Sequence, residues 1–142
     1  MEDMIDSLTV TAARRGLQEI SGEVRRVVEA SGVDEGLCTL FVRHTSASLI
    51  VQENADPAVL RDLEAWLDRL VPDGDPLFTH VAEGPDDMPS HVKGALTATS
   101  LTIPIVDGAL ALGTWQGIFL WEHRSRPRPR QVIVHVASDR LP

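Results

Sequence analysis

Cysteine is almost missing from this chain: Cys38 stands alone among 142 residues, so no internal disulfide can staple the fold. Long apolar runs are missing as well. Every hydrophobic stretch is broken by charge or glycine well short of the roughly 20 residues needed to span a bilayer, which excludes a membrane-spanning helix. Positive charge is scarce. Thirteen Lys+Arg against 21 Asp+Glu leave a formal charge of -8, and no stretch interleaves aromatic with basic residues, so nucleic acid is excluded as an expected partner. The acidic start Met1-Glu2-Asp3 lacks the basic and apolar regions of a signal peptide, and the expectation is a cytoplasmic protein. Internal repeats, GxGxxG and GxxxxGK[ST] are absent, which removes solenoids and two kinds of nucleotide cradle. What is present is an ordinary globular composition, 43% hydrophobic and 24% charged with a mean hydropathy of -0.03. One domain, residues 1–142, with a real core is the expectation.

Periodicity places the elements. Ser7 to Ala12 alternates with period two, and Leu17 to Ile20 continues as extended chain. Ser21 is positioned to N-cap a short helix that buries Val24, Val27 and Val28 and ends near Ser31-Gly32. Gly36 to His44 and Ser48 to Gln52 read as strands. Asp56 before Pro57 is a helix start, and Val59, Leu60, Leu63, Leu67 and Leu70 form an apolar stripe that Pro72 and Gly74 end. Asp75 to Met88 has no period and is dense in Gly, Pro and acid; a loop this long in a small domain is usually functional. Pro89 can open another helix. Strands follow at Ser100–Pro104, Leu110–Leu112, Gly113–His123 and Gln131–Ala137, with a turn at Asp107-Gly108 and a hairpin loop at Ser125–Arg130. This order predicts an α+β fold with largely antiparallel sheets and two to three helices.

Three segments carry chemistry. In the first, His44 continues the inward row of Leu40 and Val42 and is followed by Thr45, Ser46, Glu53 and Asn54. A single histidine there is as well explained by a core ring bonded to a backbone group. In the second, His80, Glu83, Asp86, Asp87, His91 and Lys93 crowd a loop that runs into a helix start. Such a start suits a phosphate, with adjacent aspartates holding Mg²⁺ against it, although Asp86 or Asp87 can also serve simply as a helix cap. Neither HExxH nor zinc-finger spacing is matched. In the third, Trp115, Gly117, Phe119, Trp121 and His123 share one strand face, while Gln116, Ile118, Leu120, Glu122 and Arg124 share the other. Most of that strand reads as packing, with Glu122-His123-Arg124 able to orient a ligand at its end. Cys38 reads as an inert core residue.

HTSASL (44–49) with QENADP (52–57), EGPDDMPSHVK (83–93) and LGTWQGIFLWEHR (112–124) resemble, in order and spacing, the signature segments of the YjbQ-like family. The resemblance covers nearly the whole chain. It implies a compact α+β subunit assembled as a homotrimer and an association with thiamine-phosphate synthase activity. The implied reaction joins a pyrimidine diphosphate to a thiazole phosphate with loss of pyrophosphate. His44, His80, His91, Glu53, Asp86, Asp87, Lys93, Trp115, Gln116 and His123 match the family's motifs, whereas His135 falls outside them. The expected catalytic set is His44, Glu53, Asp86, Asp87 and His91. Ser46, Asn54, Lys93, Trp115, Gln116, His123 and Arg124 are expected to meet substrate. A divalent cation, Mg²⁺ or Zn²⁺, is the expected cofactor, with His44, His80 and His91 as its ligands. Two further readings stay open: a zinc-dependent hydrolase with those histidines and Glu53 or Glu83 as general base, and a non-catalytic protein binding a small phosphorylated metabolite.

Overall fold

Alternating apolar residues build two antiparallel sheets whose facing sides supply the core. The computed structural model describes residues 3–140; Met1 and Glu2 of the acidic start lie outside the described residues. In chain order the elements are β1 (Met4–Val10), β2 (Gly16–Glu19), α1 (Ser21–Ser31), β3 (Gly36–Val42), β4 (Ala47–Glu53) and α2 (Pro57–Leu70). They are followed by α3 (Asp87–Leu96), β5 (Ser100–Val106), β6 (Ala109–Leu110), β7 (Gln116–Glu122) and β8 (Arg130–Ser138). A five-stranded sheet runs β1-β8-β3-β5-β6 and a three-stranded sheet runs β2-β7-β4. Every strand pair is antiparallel. The fold is α+β.

Cys38, Leu40 and Val42 of β3, with Val132, Val134 and Val136 of β8, turn inward from the large sheet. They meet Leu49, Ile118 and Leu120 of the small sheet and Val24, Val27 and Val28 of α1. Cys38 is fully buried, and burial pushes its thiol up to about 11, so it is the inert core residue expected. The opposite face of β7 places Trp121 in a second, smaller cluster with Leu67 and Val71 from the end of α2.

One local expectation is corrected. Ser21 does not cap α1: its hydroxyl accepts from the Ile118 amide at 2.8 Å and donates to Glu19, tying helix to sheet. Along α2, only Leu67 is fully buried and Leu70 is 54% exposed, because the helix rests on a three-stranded sheet too narrow to cover its whole stripe. The Asp56 cap is present, its carboxylate accepting from the Ala58 amide at 2.9 Å. At the Asp107-Gly108 turn both φ angles are positive, 51° and 79°, the pattern of a tight hairpin turn.

Candidate metal centre and its cationic cleft

The ends of β3, β7 and α3 meet at one edge of the sandwich. α3 begins at Asp87, two residues before the expected start at Pro89. Proline is tolerated there because the first turn has no intrahelical partner for its amides, so the missing N–H costs nothing. Asp87 and His91 therefore lie one turn apart on the same helix face. His91 is the fifth residue of the helix, past the first turn, where the helix dipole acts on it only weakly. Asp86 precedes the helix without a side-chain cap bond, which corrects the capping reading.

His80, Asp87 and His91 form the tightest group. Both rings donate from Nε2 to the same oxygen, Asp87 Oδ2, His80 at 2.7 Å and His91 at 3.2 Å, and the ring centroids are 5.6 Å apart. One ligand atom from each residue lies within 4.8 Å of the others. Asp87 is buried, whereas both imidazoles reach solvent. Burial alone would push the Asp87 carboxyl up. The hydrogen bond from His80 and the charges of Arg124 and His91 outweigh it and hold the group below the usual carboxylate range.

Arg124 organises the carboxylates. Its Nε donates to Asp86 Oδ2 at 2.9 Å, Nη1 to Asp87 Oδ1 at 2.7 Å, and Nη2 to the Glu83 carbonyl at 2.9 Å. Asp86 Oδ2 also accepts from the Ser125 amide and hydroxyl. Burial raises the Asp86 carboxyl, but these bonds overwhelm it and leave the group far below its ordinary value. Asp86 is thus consumed in structure, and the expectation that Asp86 and Asp87 hold Mg²⁺ side by side is corrected: Asp87 alone turns an oxygen toward the imidazoles.

Beside this group opens a cleft of about 640 Å³ lined by His44, Ser46, Glu83, Asp87, His91 and four arginines, Arg43, Arg124, Arg128 and Arg130. Glu122, fully buried, fixes Arg130 through both carboxylate oxygens, at 2.9 and 2.5 Å. His44 lies just past β3, and its Nε2 accepts from the Gln131 amide at 2.8 Å. Burial and the charges of Arg130 and Arg43 lower its affinity for a proton, consistent with a neutral ring protonated on Nδ1. A neutral imidazole has one lone-pair nitrogen, and here the backbone takes it. His44 is therefore corrected from expected metal ligand to a fixed hydrogen-bond donor in the cleft wall, and it is Asp87, not His44, that groups with His80 and His91.

The other expected residues divide. Glu53, Asn54, Trp115 and Gln116 gather at the opposite end of the small sheet, where Glu53 pairs with Gln116 and the Asn54 amide donates to the Trp115 carbonyl at 2.9 Å. The seven residues of β4 put that end about 20 Å from Ser46. There Glu53 accepts from the Asp56 amide and Gln116 from the Gly113 amide, both supporting turns. Within one chain they are not part of the cleft. Lys93 and His123 also leave it: Lys93, 2% exposed, donates to Asp68 Oδ1 at 2.5 Å, and His123 Nε2 bonds Ser48 Oγ at 2.9 Å. Arg43, Arg128 and Arg130 were not anticipated. The period-two spacing of Arg124, Arg126, Arg128 and Arg130 was the available signal, masked by the intervening prolines.

The buried His123 ring gives the fold an acid limit. Burial, reinforced by Lys93, Arg130 and Arg15, pushes its pKa down to about 3. The unfolded ring titrates near 6.5, so the stability gained by keeping it neutral is whole above that pH and is lost as pH falls toward 3. The expected slope is at most about 1.4 kcal/mol per pH unit. Urea denaturation at pH 7, 6 and 5 measures it, and His123→Gln should flatten it.

A sequence model described as "UPF0047 protein YjbQ-like" matches residues 6–139. UPF0047 protein sll1880 of Synechocystis sp. is 55% identical over 93% of this chain and 90% of its own length. UPF0047 protein YjbQ of Escherichia coli O157:H7 is 42% identical over 94% of this chain and 96% of its own. Among solved structures, the conserved hypothetical protein TT1486 of Thermus thermophilus superposes with a TM-score of 0.82 at 37% identity, covering 93% of this chain and 99% of that one.

Proposed function

From the premise that this chain belongs to the YjbQ-like UPF0047 family, we propose that it is a divalent-metal-dependent transferase acting on a diphosphorylated small metabolite. The proposed reaction is of the thiamine-phosphate synthase type, a pyrimidine diphosphate joined to a thiazole phosphate. One observation carries the reading: the His80–Asp87–His91 donor group opens onto a cleft lined by four arginines.

The donor set fits a metal ion. Two imidazoles and one carboxylate favour a borderline cation such as Zn²⁺ over Mg²⁺, which prefers oxygen and can enter with the substrate's phosphates. Bound there, the cation would supply a Lewis acid to a phosphoryl oxygen. Arg43, Arg128 and Arg130 would hold the diphosphate and offset the charge that grows on it as it departs. Arg124 keeps Asp87 ionised and aimed, and the neutral His44 would donate to a phosphate oxygen. The same donor set favours a second reading, hydrolysis, in which Glu83, 3.8 Å from His80 Nε2, is the general base.

Turnover separates the two. The transferase reading expects pyrophosphate release from a hydroxymethylpyrimidine diphosphate only when thiazole phosphate is supplied, and loss of that release with a chelator. Release without the acceptor would favour the hydrolase; no release in any metal would overturn both.

We also propose that the chain assembles as a homotrimer. Ile5, Leu37 and Phe41 leave apolar surface on the outer face of the large sheet, and contact between subunits is the available route by which Trp115 and Gln116 would approach a cleft. Sedimentation should report three times the 15.5 kDa chain mass, and a 15.5 kDa species would sink the trimer.

A further inference from the structure

The arginine cleft has a second chemical character at the end of β3. Phe41 is the one benzene ring in its wall, and 49% of that residue is exposed. An aromatic side chain left this open forgoes hydrophobic stabilisation that a ligand covering it would recover. Its place on the strand ties it to the cations. Exposed Phe41, buried Val42 and exposed Arg43 keep the period-two alternation to the strand's end, where the Arg43 amide donates to the Gln131 carbonyl at 3.1 Å. Phe41 and Arg43 therefore leave the same sheet face about 6.6 Å apart, two residues of strand rise.

The four arginines divide into held and free. Arg124 is paired with Asp86 and Asp87, and Arg130 with Glu122. Arg128 is fixed through its backbone amide, which donates to Glu122, and neither its guanidinium nor that of Arg43 has an ion pair among the described residues. These two are available to phosphate oxygens. One of them stands two residues from the open ring. A flat ring joined to a diphosphate through a single carbon has the same layout, because one carbon and one oxygen separate the ring from the first phosphorus. Trp115, the aromatic residue expected to meet substrate, stands at the far end of the small sheet beside Asn54. Within one chain, Phe41 is the ring that the cleft offers.

We propose that Phe41 is the ring-recognition residue of the cleft: the flat heteroaromatic ring of a diphosphate substrate stacks on its face while Arg43 and Arg128 hold the phosphates. The proposal rests on the reading of the cleft as a diphosphate site and adds the residue that selects aromatic over aliphatic diphosphates. Stacking of a flat ring on an aromatic side chain is worth about tenfold in affinity. A subunit seated on Ile5 and Leu37 need not cover Phe41, since Leu37 lies four residues, about 13 Å, back along the strand.

Calorimetric titration of the chelator-stripped protein with methyl diphosphate and benzyl diphosphate tests it. The two carry the same charge and differ in the ring. Benzyl diphosphate is expected to bind wild type about tenfold more tightly. Phe41→Ala should bring the two affinities together while methyl diphosphate binds as in wild type. Phe41→Leu, which keeps the apolar bulk that a subunit contact would use, should lose part of the preference with no change in sedimentation. Arg128→Gln should weaken both compounds equally. A wild type that binds neither compound would overturn the diphosphate reading of the cleft and this proposal with it. With methyl diphosphate bound, three results would overturn the ring site alone: no preference for benzyl diphosphate, a preference that survives Phe41→Ala and disappears in Trp115→Ala, or equal loss of both compounds in Phe41→Ala.

Discussion

Arg124→Met should destabilise the chain by about 3–5 kcal/mol at pH 7, a third or more of the stability of an ordinary domain. The guanidinium is buried and is shared by two buried carboxylates and the Glu83 carbonyl, so truncation strands two charges at once. The loss should narrow on acidification. In the wild type the depressed Asp86 group contributes stability above about pH 4 that is lost only at strongly acid pH. In the variant that carboxyl, no longer paired, is relieved by taking up a proton, so the gap between the two proteins shrinks as pH falls. Urea denaturation at pH 7 and pH 5 checks both statements. Arg124→Lys keeps the charge but loses the fork, and an intermediate loss is expected. A Met variant as stable as wild type at pH 7 would show that the arginine does not organise the site.

Asp87→Asn should abolish metal binding while the fold persists. The amide oxygen can still accept from Arg124 Nη1, and Asp86 keeps its own bonds to Arg124 and Ser125, so no buried charge is left alone. What disappears is the anionic oxygen onto which His80 and His91 converge. Loss of an outer-sphere partner typically costs 10–100-fold in metal affinity, and loss of the carboxylate donor itself should cost at least about 100-fold. Calorimetric titration of zinc into wild type and variant reads the difference. Equal affinities would remove Asp87 from the donor set.

Local pattern carries most of the fold. Alternation marks β3 and β8, the Asp56-Pro57 pair marks the start of α2, and the order of strands implies antiparallel sheets. The site is legible as a set of residues but not as an arrangement. Glu53 lies nine positions after His44, yet a strand stretches that interval across the sheet and separates the two. Asp86 and Asp87 are adjacent, yet the chain turns into α3 between them, so one faces Ser125 and the other faces the histidines. Lys93 has the sequence position of a phosphate-binding cation at a helix start. Its partner Asp68 is on α2, a pairing no local spacing encodes. The arginines after β7 read as a loop because proline disguises their approach to β8.

The metal centre is tested most directly by zinc-edge anomalous diffraction from crystals of the chelator-stripped protein reloaded with one equivalent of zinc. One peak per chain is expected, about 2.0–2.2 Å from His80 Nε2, His91 Nε2 and an Asp87 oxygen, with His44 still bonded to the Gln131 amide. No peak, or a peak ligated by His44 or His135 in place of Asp87, would refute the His80–Asp87–His91 centre.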